Sequence, residues 1–152
     1  MGNSQRLKYK YNFCVMKKNI LIDFDGTCVT HEFPYIGKDI DSVVVLKKLV
    51  QKGHNLILFT MRSHRPYIHV DNKSRDCLQE AIDWFKKNEI PLYGVNKNPT
   101  QHEWTDSPKA YGELIIDDIA IGIPLKIDKE LSQRPFVDWF YLEIMLNANN
   151  LI

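Results

Sequence analysis

With 152 residues, 20 Lys and Arg against 19 Asp and Glu, and 44% hydrophobic residues, the chain is long enough for one domain with a proper core. Its net charge of +1 makes no general case for nucleic acid or an anionic membrane, although the first 18 residues carry Arg6, Lys8, Lys10, Lys17 and Lys18 without an acid, which leaves the body mildly acidic. Three scattered cysteines (Cys14, Cys28 and Cys77) in no Cys-x-x-Cys pair predict free thiols in a reducing compartment. The lack of a roughly 18-residue apolar run or a signal-peptide core predicts a soluble, cytoplasmic protein without membrane contact.

Residues 1–15 are polar and basic and read as an N-terminal extension. They are either a disordered lead-in to a start at Met16, or an edge strand built on the alternation of Tyr9, Tyr11 and Phe13. The domain proper is expected over residues 16–152. Ile20, Leu21 and Ile22 form a short apolar run suited to a strand buried on both faces, and it delivers Asp23, Phe24, Asp25, Gly26 and Thr27. Side chains at i and i+2 of a strand share a face, so Asp23 and Asp25 would crowd one small space unless a cation or proton lay between them. Gly26 permits a sharp turn, and Cys28 reads as a small buried hydrophobe rather than a nucleophile.

A loop over residues 29–38 is expected to overhang this strand end. A helix follows, capped by Asp39 or Asp41, with Val43, Leu46, Leu49 and Val50 on its apolar face and Gly53 at its left-handed end. Residues 56–59 make a second buried strand ending at Thr60. The loop of residues 61–72 is rich in anion-binding and ring-stacking groups, including Arg62, His64, Arg65, Tyr67 and His69. Leu78, Ala81, Ile82 and Phe85 define the core face of a second helix. Residues 90–95 read as a third strand, 96–107 as a polar loop before Lys109, and 114–116 as a fourth strand ending in Asp117 and Asp118. A short strand within residues 119–127 and a last amphipathic helix burying Val137, Phe140, Tyr141 and Ile144 complete the pattern.

Strands alternating with helices predict an α/β fold, a three-layer Rossmann-like parallel sheet with helices on both faces. Ligands of such sheets bind beyond the carboxyl ends of the strands, where Asp23, Asp25, Thr60, Asp117 and Asp118 would converge. Several carboxylates around one point suit a hard cation, with Mg²⁺ favoured by oxygen ligands and room for water. A hydroxyl and a lysine beside them suit phosphoryl oxygens.

On Asp23-Phe-Asp-Gly-Thr27, residues 56–60, Lys109 and Ile115-Ile-Asp-Asp118, the chain resembles the haloacid dehalogenase-like (HAD) superfamily, specifically its Mg²⁺-dependent phosphatases. The resemblance implies that Asp23 is a nucleophile forming an aspartyl-phosphate, and that Asp25 protonates the leaving group and then activates water. Thr60 and Lys109 would hold the phosphoryl group, and Thr27 offers a further hydroxyl. Metal ligation would fall to Asp23, the backbone carbonyl of Asp25 and one of the last two acids, Asp118 before Asp117. Neither interval between motifs has room for a cap domain. Small capless bacterial and phage hydrolases of this superfamily, some described as capsule-biosynthesis phosphatases, look closest, and capless members leave their sites open or close them with a partner subunit, so a homo-oligomer is one expectation. Arg62 is the candidate substrate contact, since a guanidinium can grip an anion with two parallel hydrogen bonds; the alternative is that it pairs with a local acid and orders the loop.

The expected activity is therefore phosphomonoester hydrolysis on a sugar phosphate, a nucleotide or a polynucleotide end, the only way nucleic acid would enter. The alternative is a receiver-like domain that accepts a phosphoryl group as a switch without turnover.

Overall fold

The computed structural model describes residues 16–68 and 74–152. The basic extension, with its candidate edge strand, lies outside them. Four parallel strands form the central sheet: β1 (Asn19–Ile22), β2 (Asn55–Leu58), β5 (Gly94–Val95) and β6 (Leu114–Ile116), in the order β5-β2-β1-β6. Between them run α1 (Ser42–Gln51), a two-stranded hairpin of β3 (Tyr67–Ile68) with β4 (Ser74–Arg75), and α2 (Cys77–Lys87). After β6 come the antiparallel pair β7 (Leu125–Lys126) and β8 (Phe136–Val137) and then α3 (Trp139–Ala148).

The expected α/β class and parallel sheet are present, with an uneven distribution of helices. Strand alternation sends Ile20, Ile22, Leu56 and Leu58 to one face, where they share a core with Leu46 and Leu49 of α1, Phe85 of α2, and Trp139 and Leu142 of α3. On the other face, Leu21 and Ile57 pack against Ala110 and Tyr93, so the crossover from β5 to β6 covers it with a loop holding one 3₁₀ turn, Gln101–Glu103. That crossover is too short on apolar periodicity to make a helix, and Ile115, facing the same way on β6, stays 51% exposed.

Local signals explain most helix ends. Gly53 takes φ 97° just beyond α1, and the Asp76 carboxylate accepts from the Gln79 N–H to cap α2. Asp39 and Asp41 act otherwise than expected: Asp41 is the left-handed residue before α1 without a side-chain cap bond, and Asp39 accepts from the Asp41 N–H. The face expected for the last helix is also corrected. Phe140, Tyr141 and Ile144 are exposed, Val137 belongs to β8, and the buried stripe is Trp139, Leu142 and Leu146. This helix is apolar almost all round, so periodicity cannot choose a face. The Trp139 indole chooses it by donating to the Thr27 carbonyl at 2.7 Å.

No helix among the described residues is long and apolar enough to cross a membrane.

Candidate metal and phosphate site

Register builds the site. Ile22 pairs with Ile116, so the next residues, Asp23 and Asp117, leave the sheet side by side, and the Asp23 N–H donates to the Ile116 carbonyl at 2.9 Å. On the other flank Leu58 pairs with Ile22 and with Val95, which sets Thr60 and Asn96 at the same sheet edge. There the Thr60 N–H donates to Asn96 Oδ1 at 2.8 Å. The strand ends enclose a cavity of about 480 Å³ whose walls include Asp23, Asp25, His31, Thr60, Asp117 and Asp118.

The turn after β1 is tightly bonded. Gly26 has φ 84°, its N–H donates to the Val29 carbonyl at 2.7 Å, and a Cβ there would fall inside the His31 ring. Cys28 is fully buried, its Sγ donates to the Asp23 carbonyl, and burial pushes its thiol well above the ordinary range, as suits a core residue rather than a nucleophile. Thr27 is also fully buried. Its hydroxyl donates to Asp23 Oδ2 at 3.0 Å and accepts from the Asp118 N–H at 3.0 Å, so it joins the two acidic turns and has no room for the substrate contact expected of it.

Asp23, Asp117 and Asp118 each bring a carboxylate oxygen within 4.8 Å of the others. Burial, helped by the charges of Asp117 and Asp118, raises Asp23 from 3.8 to about 7 against the lowering effect of hydrogen bonds from the Phe24 N–H and Thr27. Three oxygen donors this close, one of them unwilling to ionise alone, suit a hard divalent cation. Asp118 and Asp117 both belong to this cluster. Asp118 Oδ2 meets His31 Nε2 at 2.8 Å, and Asp117 Oδ1 accepts from the Ile119 N–H at 3.0 Å. His31 is the residue that sequence reasoning passed over; only its position in a loop expected to overhang the strand end could have drawn attention to it.

Asp25 sits two residues from Asp23 in a different electrostatic setting. Its carboxylate stands outside the acidic cluster and is clasped by Arg62, with Nε on Oδ2 and a terminal nitrogen on Oδ1, both at 2.7 Å. The remaining Arg62 N–H groups go to the carbonyls of Pro34, Cys77 and Tyr35. All five donors of the guanidinium are thereby used. Its carbon also lies 5.0 Å from the Phe24 ring centre and 5.3 Å from that of Phe33. Arg62 is 3% exposed, so the substrate grip expected of it does not fit: it is a buried partner of Asp25.

Thr60 keeps its expected place. Its Oγ1 accepts from the Arg62 N–H at 3.2 Å, which leaves the hydroxyl proton to donate. Lys109 lies apart. It is exposed, its described bonds are those of its backbone to Ser107 and Gln101, and it is not among the walls of the acidic cavity.

No protein-family model and no curated protein matches the chain. A solved structure of a conserved protein from Bacteroides thetaiotaomicron is similar to it, with 30% sequence identity, 88% of this chain and 92% of that one covered, and a TM-score of 0.65. Identity and coverage at this level mean that the chain belongs to the family of that conserved Bacteroides protein.

Proposed function

We propose that the protein is a Mg²⁺-dependent phosphomonoester hydrolase of the HAD type, with Asp23 as nucleophile. The observation that carries this reading is the meeting of the Asp23, Asp117 and Asp118 carboxylates within 4.8 Å at the carboxyl ends of adjacent parallel strands. Asp23, Asp117 and Asp118 would hold the cation, which when bound would neutralise phosphoryl charge and let Asp23 ionise. The Asp23 carboxylate attacks phosphorus, the P–O bond to the leaving group breaks, and the departing oxygen takes a proton from Asp25. Water, losing its proton to Asp25, then attacks the aspartyl-phosphate and releases inorganic phosphate.

Thr27 fixes the rotamer of Asp23 and the Thr60 hydroxyl donates to a phosphoryl oxygen. Arg62 holds Asp25 in a fixed orientation, and a carboxylate has about four lone-pair sites, so each Asp25 oxygen can still take a proton. Lys109 enters only through the resemblance.

A second reading draws on the same clasp. With both oxygens of Asp25 engaged by a guanidinium, the second half-reaction would be slow, and the protein would behave as a phospho-accepting switch like a receiver domain. Turnover of p-nitrophenyl phosphate separates the two. The hydrolase gives many product molecules per protein with Mg²⁺ and none with EDTA, whereas a switch stops at one.

A further inference from the structure

The outer face of α3 is as apolar as its inner one. Trp139, Leu142 and Leu146 enter the core, while Phe140, Tyr141, Ile144 and Met145, spaced i, i+1, i+4 and i+5 along one helix face, are 45% to 67% exposed. The helix carries one charge, Glu143, and that is spent on Lys48 of α1. A helix that is apolar all round is normally covered all round.

The apolar surface continues past the helix. A groove of about 410 Å³ lies between α3 and β6, with Met145 and Leu146 in its wall on one side and Ile115, Ile121 and Ile123 on the other. Lys18 is the one charged residue in its walls. β6 is the last strand of the sheet, paired with β1 on one side, and among the described residues no strand pairs with its other side. Ile121, in the turn after β6, is fully exposed. We propose that the outer face of α3 and this groove form the interface of a two-fold symmetric dimer, the occupant being a second copy of this chain. The groove shares no wall residue with the acidic cavity, so the inference stands apart from the hydrolase reading.

Area and charge choose the occupant. Phe140, Tyr141, Ile144, Met145, Ile115 and Ile121 together leave roughly 800 Å² in solvent, about what each partner brings to a standard-size interface. Contiguous apolar surface on this scale exceeds what a monomer ordinarily shows to water. A two-fold contact sets identical patches against each other, which suits a face with almost no charge, and two chains of net charge +1 repel each other little. A charged partner would find no complementary charge on the helix. A membrane surface is held by helices whose polar side is rich in Lys and Arg, and α3 has neither.

The test is sedimentation equilibrium of the full chain from about 1 to about 100 µM, in the wild type and in Ile121→Lys and Tyr141→Lys. Both substitutions fall at exposed positions, so circular dichroism should show the wild-type fold. The wild type should reach twice the 17.8 kDa of one chain within this range. Each variant places its charge in the interface twice over and should weaken dimerisation by at least about tenfold. Weakening in either variant upholds the assignment. A wild type that stays monomeric throughout, or a dimer unmoved by both variants, would overturn it. So would a monomer that co-sediments with phosphatidylserine vesicles, which would give the face to a lipid surface instead.

Discussion

Asp23 and Asp25 leave the same strand end two residues apart, and the protein treats them in opposite ways. Asp23 is packed among two other acids, its nearest side-chain partner is the neutral Thr27 hydroxyl, and burial lifts it to about 7. Asp25 is matched at both oxygens by a guanidinium that is itself wrapped by carbonyls and rings. The first site is left short of positive charge and so has an affinity to satisfy from outside; the second is complete within the chain. A cation would therefore enter at Asp23, while Arg62 holds Asp25 in the orientation from which it would pass protons.

Breaking the acidic pole should have the largest effect. Asp23→Asn should reduce phosphatase turnover by roughly 10³-fold or more, because an amide of nearly the same shape cannot attack phosphorus. The same substitution should raise the stability of the metal-free protein in urea, since it removes a buried charge next to Asp117 and Asp118. A loss of stability together with intact turnover would invert the comparison.

Breaking the clasp should act first on the fold. Arg62→Ala leaves Asp25 and three carbonyls without their donors and should cost roughly 3–5 kcal/mol in urea unfolding. Arg62→Lys should lie between, because an ammonium cannot span both Asp25 oxygens. An unfolding midpoint unchanged in both variants would show the clasp to be incidental.

Metal affinity sharpens the contrast at a finer scale. Asp118→Ala should weaken Mg²⁺ binding in calorimetry more than Asp117→Ala. His31→Gln, which removes the ring against Asp118 Oδ2, should weaken it by about tenfold. The reverse order for the two acids would move the principal ligand to Asp117.

The smallest effect is a pH slope. Folded Asp23 keeps its proton up to about pH 7, whereas the unfolded chain releases it near 3.8. Across that window the folded state binds the extra proton, so metal-free stability should fall as pH rises, by at most roughly 1.4 kcal/mol per unit from this group, and level off above 7. Saturating Mg²⁺ should flatten the slope, and Asp23→Asn should abolish this contribution. Urea midpoints measured from pH 4.5 to 8 check both.

The first turn was legible in part because its chemistry is local: an apolar run, two acids and a glycine suffice to bring Asp23 and Asp25 to one strand end, but the expected crowding of the two carboxylates does not occur, because Arg62 draws Asp25 out of the acidic cluster. The pairing of Asp117 with it followed from strand ends alone. For Arg62 the expected substrate contact gave way to the alternative, a pair with an acid, because a guanidinium that meets a substrate and one that meets a carboxylate 37 positions away look alike in sequence. Thr27 was misread for a related reason: its hydroxyl is spent on Asp23 and on the Asp118 backbone, a contact across 91 positions. The face of α3 was illegible because Trp139, Phe140, Tyr141 and Leu142 are all apolar, and the choice depends on one indole reaching Thr27. The one-sided distribution of helices was hidden in the crossover of residues 96–113, where buried amides rather than apolar periodicity hold the chain.

The most direct measurement on the central claim is chemical trapping at residue 23. The protein is quenched in acid during turnover of p-nitrophenyl phosphate with Mg²⁺ and reduced with borohydride, which converts an aspartyl-phosphate to homoserine, and the peptide holding Asp23 is weighed by mass spectrometry. If Asp23 is the nucleophile, homoserine appears at position 23, dependent on both substrate and Mg²⁺ and missing in Asp23→Asn. Sustained turnover with position 23 unmodified, or modification at Asp25, Asp117 or Asp118 instead, would contradict it.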